Sequence, residues 1–249
     1  MAVGALLAFC GLAALGTWQL ERRAWKLDLI ARVDQRVHAP ATVAPAPDEW
    51  PQVSVATHEY RHVRATGSFV YASQTLVQAV TELGAGFWLL TPLRLTDGSV
   101  VLINRGFVAT ERAAVVVQAT DAAGGQVTVT GLLRLTEPGG AFLRRNDAAA
   151  NRWYSRDVQA IAAARGLGRV APYFIDADAT PHAGPGSDGF PIGGLTVIAF
   201  ANNHLVYALT WYTLALMVAG AAWHVEREAR RRRAGSAGGN AGDDVARQD

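Results

Sequence analysis

The run 205-LVYALTWYTLALMVAGAAW-223 decides the architecture. Its 19 residues include no charged side chain, close to the roughly 20 that a helix needs to cross the hydrocarbon core of a bilayer. Leu, Ala and Met are strong helix formers, and polarity returns only at His224, Glu226 and Arg227. Trp211, Tyr212 and Trp223 suit the aromatic belts at the two edges of a membrane. At the other end of the chain, Met1 to Leu20 also lacks charge, with Thr17 and Gln19 its only clearly polar side chains. This makes a second candidate span, with Trp18 and Trp25 near its end. A cleaved signal peptide would start with a basic segment and carry a shorter apolar core. Here the apolar run starts at Met1 and meets Glu21-Arg22-Arg23 directly, which fits an anchor.

Composition agrees with two concentrated apolar ends. Of 249 residues, 50% are hydrophobic and only 18% charged, against roughly 25% charged in an ordinary soluble domain. Lys and Arg number 23 against 21 Asp and Glu, a net charge of +2 that argues against a nucleic-acid binder, which would normally show a concentrated basic surface. The lone cysteine, Cys10, can form neither an internal disulfide nor an all-cysteine metal site.

Charge also orients the spans. Arg227, Arg230, Arg231, Arg232 and Arg233 follow the second one, while no Lys or Arg stands between Arg169 and its start. The positive-inside rule then places the C-terminus, and with two spans the N-terminus, in the cytoplasm. Arg22, Arg23 and Lys26 would lie outside, but long translocated domains are largely insensitive to their charges. After Arg233 the Gly-, Ala- and Asp-rich tail predicts a disordered segment.

Between the spans the pattern is that of strands. Pro40, Pro45, Pro47 and Pro51 exclude a helix and predict an extended linker, after an amphipathic stretch at Leu27 to Val37. YRHVRATGSFV, QTLVQAV, GFWLLTPLRL, SVVLINRGFV and QVTVTGLLRL are short and β-branched or aromatic, with Asp97-Gly98 and Gly124-Gly125 as turn signals. A turn or bulge is expected at Gly67. Asp157 to Arg165 reads as a short helix, with Ser155 or Asp157 as its cap and Gly166 as its stop. PYFIDAD and LTVIAF read as two further strands. The expected fold is a membrane α+β protein: a helix over 1–20, an amphipathic stretch and Pro-rich linker over 21–51, a mainly antiparallel β domain over 52–203, a second helix over 204–224, and a basic stop with a disordered tail over 225–249.

His58-Glu59-Tyr60-Arg61-His62 matches H-E-x-x-H, the zinc-peptidase signature. That chemistry needs both histidines on one helical face, whereas the following residues through Val70 read as strand. In a strand the two His α-carbons stand roughly 13 Å apart, at about 3.3 Å per residue, too far for a shared zinc. No P-loop, dinucleotide fingerprint or GxSxG elbow is present. GPGSDGFPIGG at 184–194 lacks the Lys-Ser/Thr that would hold phosphate and metal, and reads as a mobile loop.

At the head of the second span, His204, Tyr207 and Trp211 fall at i, i+3 and i+7 on one helical stripe. A neutral imidazole flanked by aromatic rings is a sensible axial haem ligand, because a haem needs an apolar wall. The same residues also read as a helix cap with interfacial anchors, and the residues alone favour that reading.

LGTWQLERRAWK (15–26), GFWLLTPL (86–93), INRGF (103–107), NRWYSRDV (151–158), PYFIDAD (172–178) and NNHLVYALTWY (202–212) together resemble, in order and spacing, the signatures of the surfeit locus protein 1 family. The resemblance implies a non-enzymatic assembly factor for cytochrome c oxidase, with two spans and a domain facing the periplasm or the intermembrane space. It further implies transient binding of haem a, delivery to oxidase subunit I, and work alongside other assembly factors. His204, the histidine of the NNHL motif, would be the haem ligand, with Tyr207 and Trp211 beside it.

Overall fold

The computed structural model describes residues 2–118, 125–141, 143–179, 191–196 and 202–243. In chain order the elements are α1 (Ala2–His38), β1 (Thr42–Val43), α2 (Val55–His58), β2 (His62–Phe69), β3 (Thr75–Thr81), β4 (Gly84–Leu95), β5 (Val100–Ala109), α3 (Ala113–Gln118), β6 (Val127–Leu135), α4 (Val158–Ala164), β7 (Val170–Ala177) and α5 (His204–Asp243). They divide into two compact units, Arg32–Ile198 and Met1–Ala31 with Ala199–Asp249.

In the first unit, β2 pairs with β6, β6 with β7, β7 with β5, β5 with β4, and β4 returns to β2 through Gly67↔Leu95, Ser68↔Arg94 and Phe69↔Leu93. These five strands form a barrel-like ring. β3 extends it along β4, and β1 along β2. Among these strand pairs only β5–β7 and β1–β2 are parallel. The ring closes at Gly67 by close approach: a Cβ there would collide with the Arg94 carbonyl oxygen. Gly67 is therefore an ordinary strand residue that lets β4 cross, and not the expected turn.

Strand alternation sorts the apolar residues onto two faces. Val63, Leu93, Val101, Ile103, Leu133, Tyr173 and Ile175 form one cluster, while Leu90, Leu102 and Phe174 pack on the other face with Trp153, Val158 and Ile161. Burial on both faces explains why β5 and β7 read as nearly unbroken apolar runs. α4 is capped by Asp157, whose Oδ1 accepts from Ala160 N at 3.1 Å, and it stops at Gly166 with φ +62°. Ser155 instead accepts from Gly140 N and Asn146 Nδ2. The Pro-rich stretch is extended as expected but docked on the barrel: Ala44 is buried in the core cluster, and Pro45 O accepts from both Trp50 Nε1 (3.1 Å) and Tyr173 Oη (2.8 Å).

The second unit contains two helices long and apolar enough to cross a membrane, Val3–His38 and His204–Arg232. Their large apolar side chains are open, Leu7 at 68% and Leu216 at 69% exposure, unlike those of a core helix in a soluble protein. The amphipathic stretch at 27–37 continues α1 without a break. α5 likewise runs past Trp223 to Asp243, through a segment expected to be disordered. A helix already nucleated extends without a new nucleation cost, and Glu226–Arg230 and Glu228–Arg232 pairs support its stretch after Trp223. The expected strand LTVIAF has no regular structure at Leu195 and Thr196, and 197–200 lie outside the described residues. His182 and 184–190 of the Gly-rich loop lie outside them too.

Candidate functional site

α5 begins at His204, and its inward stripe runs His204, Ala208, Trp211, Ala215, with both alanines buried and His204 and Trp211 half-buried. α1 faces this stripe. Gly16 meets the Tyr212 ring, Thr17 Oγ1 lies 3.0 Å from Tyr212 Oη, and Gln19 Oε1 lies 2.8 Å from His204 Nδ1. His204 Nε2 has no hydrogen-bond partner among the described residues. Tyr207 lies one step off the stripe and is 55% exposed. His204 and Trp211 thus share the face toward α1, with Tyr207 on its flank. Two residues before His204, the Asn202 Oδ1 atom is buried without a partner among the described residues.

The H-E-x-x-H residues are placed differently from the expected strand. His58 ends the one-turn α2, Glu59 leaves it in an extended conformation, Tyr60 takes φ +62°, and His62 opens β2. The reversal at Tyr60, tied by its N–H to Leu133 O at 2.9 Å, puts the two histidines on separate elements. Each side chain has local partners. Glu59 accepts from Arg134 Nε (2.8 Å) and Leu135 N (2.9 Å). His62 reaches Asp178 Oδ2 (2.8 Å) and Ala39 O (3.0 Å), and His58 Nδ1 reaches Thr57 Oγ1 (2.8 Å). Burial opposes the charge of His62, but the Asp178 carboxylate and the Ala39 carbonyl outweigh it and raise its pKa. Burial, helped by Arg61, lowers that of His58. Among the described residues no group of three or more His, Cys, Asp or Glu is placed to hold a metal ion.

A buried charge cluster occupies one side of the barrel. Asp176, 4% exposed, accepts from Asn104 Nδ2 (2.8 Å), Thr196 Oγ1 (3.0 Å), Arg134 (3.1 Å) and Arg156 (3.1 Å). Glu137 pairs with both arginines, and Glu59 with Arg134. Burial works against the Arg134 charge, and Asp176 and Glu59 outweigh it, raising its pKa. Asn104, Arg134, Arg156, Asp176 and Thr196 border, with Trp88 and Leu195, a cavity of about 460 Å³. The sequence signal was a polar side chain set among apolar ones in each strand: Asn104 in VVLINRGF, Arg134 in LLRL, Asp176 in PYFIDAD.

Residues 6–216 match the sequence profile of the SURF1 family. The protein is 36% identical over 216 residues to Surfeit locus protein 1 of Mus musculus, covering 80% of this chain and 67% of the mouse protein. With Surfeit locus protein 1 of Homo sapiens the identity is 35% over 218 residues, 81% of this chain and 69% of the human one. With a SURF1-like protein of Monosiga brevicollis it is 36% over 216 residues, 81% and 78%. The chain belongs to the SURF1 family. The matched span takes in α1, the whole barrel and α5 as far as Leu216, so His204, Tyr207 and Trp211 all fall within the SURF1 region. Four of the quoted motifs meet at the buried cluster, which Trp88, Asn104, Arg156 and Asp176 enter from GFWLLTPL, INRGF, NRWYSRDV and PYFIDAD.

Proposed function

We propose that this SURF1-family protein is a non-enzymatic assembly factor for cytochrome c oxidase that binds haem a through His204 and assists its insertion into oxidase subunit I. The observation that carries the haem reading is the Nε2 atom of His204, without a partner among the described residues on a ring whose other nitrogen is held by Gln19. Bound haem a would supply an iron centre that accepts an imidazole nitrogen as axial ligand. On this chain's side, His204 offers that nitrogen, while Trp211 and Tyr207 offer aromatic surface for a macrocycle edge. Family membership supports the assembly role.

In this reading both termini are cytoplasmic, and the barrel faces the periplasm of a bacterium or the intermembrane space of a mitochondrion. Membrane lipid, subunit I and other assembly factors are its partners. The H-E-x-x-H peptidase reading has little support, because Glu59 is committed to Arg134 and the Leu135 N–H and so is not free to act as a general base.

The test is the absorption spectrum of the protein purified from cells that make haem a. His204→Ala should lose or shift the haem bands while membrane insertion persists, and His224→Ala should do neither. A haem spectrum and stoichiometry unchanged in His204→Ala would leave a cofactor-free scaffold as the better reading.

A further inference from the structure

Building on the reading of His204 as an iron ligand, we infer that Gln19 is its positioning residue: the Gln19 carbonyl holds the proton on His204 Nδ1 and so directs the lone pair of Nε2 outward as the ligating atom. The contact is 2.8 Å from Nδ1 to Oε1. An amide oxygen only accepts, so Nδ1 must be the donor, and a neutral ring then carries its lone pair on Nε2. That is the nitrogen without a partner among the described residues. A free imidazole side chain prefers its proton on Nε2, so without this acceptor the lone pair would sit mainly on the nitrogen facing α1.

Gln19 is itself held in place. Three residues earlier, a Cβ on Gly16 would come within 2.8 to 3.0 Å of three Tyr212 ring carbons, so any larger residue would displace that ring. Thr17 Oγ1 donates to Ala13 O at 3.0 Å, and its oxygen is left to accept the Tyr212 hydroxyl proton across 3.0 Å. These contacts fix α1 against α5 one turn away from Gln19. A ligating histidine whose other nitrogen donates to a fixed acceptor is set in tautomer and ring orientation, and loss of the acceptor typically costs about 10- to 100-fold in metal affinity.

The test uses the full-length protein in detergent micelles with 15N-labelled histidine, the His204 resonances assigned by their loss in His204→Ala. The wild type should show the Nδ1–H tautomer, and Gln19→Leu should move His204 mainly to Nε2–H. Titrated with haemin, Gln19→Leu should bind about 10- to 100-fold more weakly. Gln19→Glu, whose carboxylate is a stronger acceptor, should still bind and should lower the midpoint potential of the iron. A merely structural contact would move stability and neither tautomer nor potential. An Nε2–H tautomer in the wild type, or a tautomer and potential unchanged in both Gln19 variants, would overturn the inference. Failure of haemin to bind a wild-type protein that shows the Nδ1–H tautomer would instead overturn the haem reading and leave the tautomer assignment standing.

Discussion

Asn104 and Asp176 are register partners on β5 and β7, the parallel pair of the ring, and Asn104 Nδ2 donates to Asp176 Oδ1 across 2.8 Å. Asn104 Oδ1 in turn accepts from Gly106 N at 3.2 Å, so one amide ties the middle of β5 to the carboxylate on which Arg134 and Arg156 converge. A buried carboxylate with two guanidinium partners is retained only if all are satisfied.

The two residues should differ in cost. Asp176→Ala leaves both arginines short of a partner in a site where their side chains are 15% and 13% exposed, and should destabilise by about 3–5 kcal/mol, as breaking a buried ion pair does. Asn104→Ala removes one hydrogen bond to the carboxylate and one from a backbone N–H but leaves both ion pairs in place, and should cost about 1–3 kcal/mol. Urea unfolding of the full-length protein in detergent, followed by tryptophan fluorescence, measures both. An Asp176→Ala cost no larger than that of Asn104→Ala would show that the cluster is not stabilised as a unit.

His62 makes stability depend on pH. Because Asp178 and Ala39 raise its pKa above 6.5 despite partial burial, its contribution is complete below the unfolded value and is lost as pH rises through the folded one. Asp178→Asn should therefore destabilise the protein more at about pH 5.5 than at about pH 8.5. Equal destabilisation at both values would mean that the pair carries no charge.

Periodicity and length exposed the spans, the strands and α4, because each buries or exposes a continuous face. Residues whose role depends on a distant partner were less legible. His58 followed the strand pattern of Val63 to Val70, yet the positive φ at Tyr60 breaks the chain into a helical turn and a strand. Four- and six-residue helices such as α2 and α3 are too short to show a period. Asp176 stands out as a charge in an apolar strand, but its partners do not, since they come from β5, β6, the segment before α4 and Thr196. Gln19 looked like a stray polar residue in an apolar run until α5 supplied His204.

The close approach at Gly16 has its own consequence. Gly16→Leu should push the Tyr212 ring off α1 and break the hydrogen bond to Thr17, whereas Tyr212→Phe removes only that bond, worth about 0.6 kcal/mol on average within a membrane. Sodium dodecyl sulfate titration of the detergent-solubilised protein should show a clear loss of resistance for Gly16→Leu and little change for Tyr212→Phe. Equal behaviour of Gly16→Leu and wild type would show that α1 and α5 do not meet there.

The proposed sidedness rests on charge. Arg227 and Arg230 to Arg233 lie directly after the second apolar run, within the distance over which basic residues hold a helix end in the cytoplasm. Gly98 is a suitable reporter site because it sits at an exposed turn between β4 and β5 with φ +79°, where insertions are tolerated best. Alkaline phosphatase joined at Gly98 should be active and at Ala234 inactive, and green fluorescent protein should show the reverse. Replacing the five arginines with alanine should raise the inverted fraction, since the outward Arg22, Arg23 and Lys26 would then be the larger basic cluster near a span. Cytoplasmic activity of the Gly98 fusion would sink this orientation, and with it the extracytoplasmic placement of the barrel.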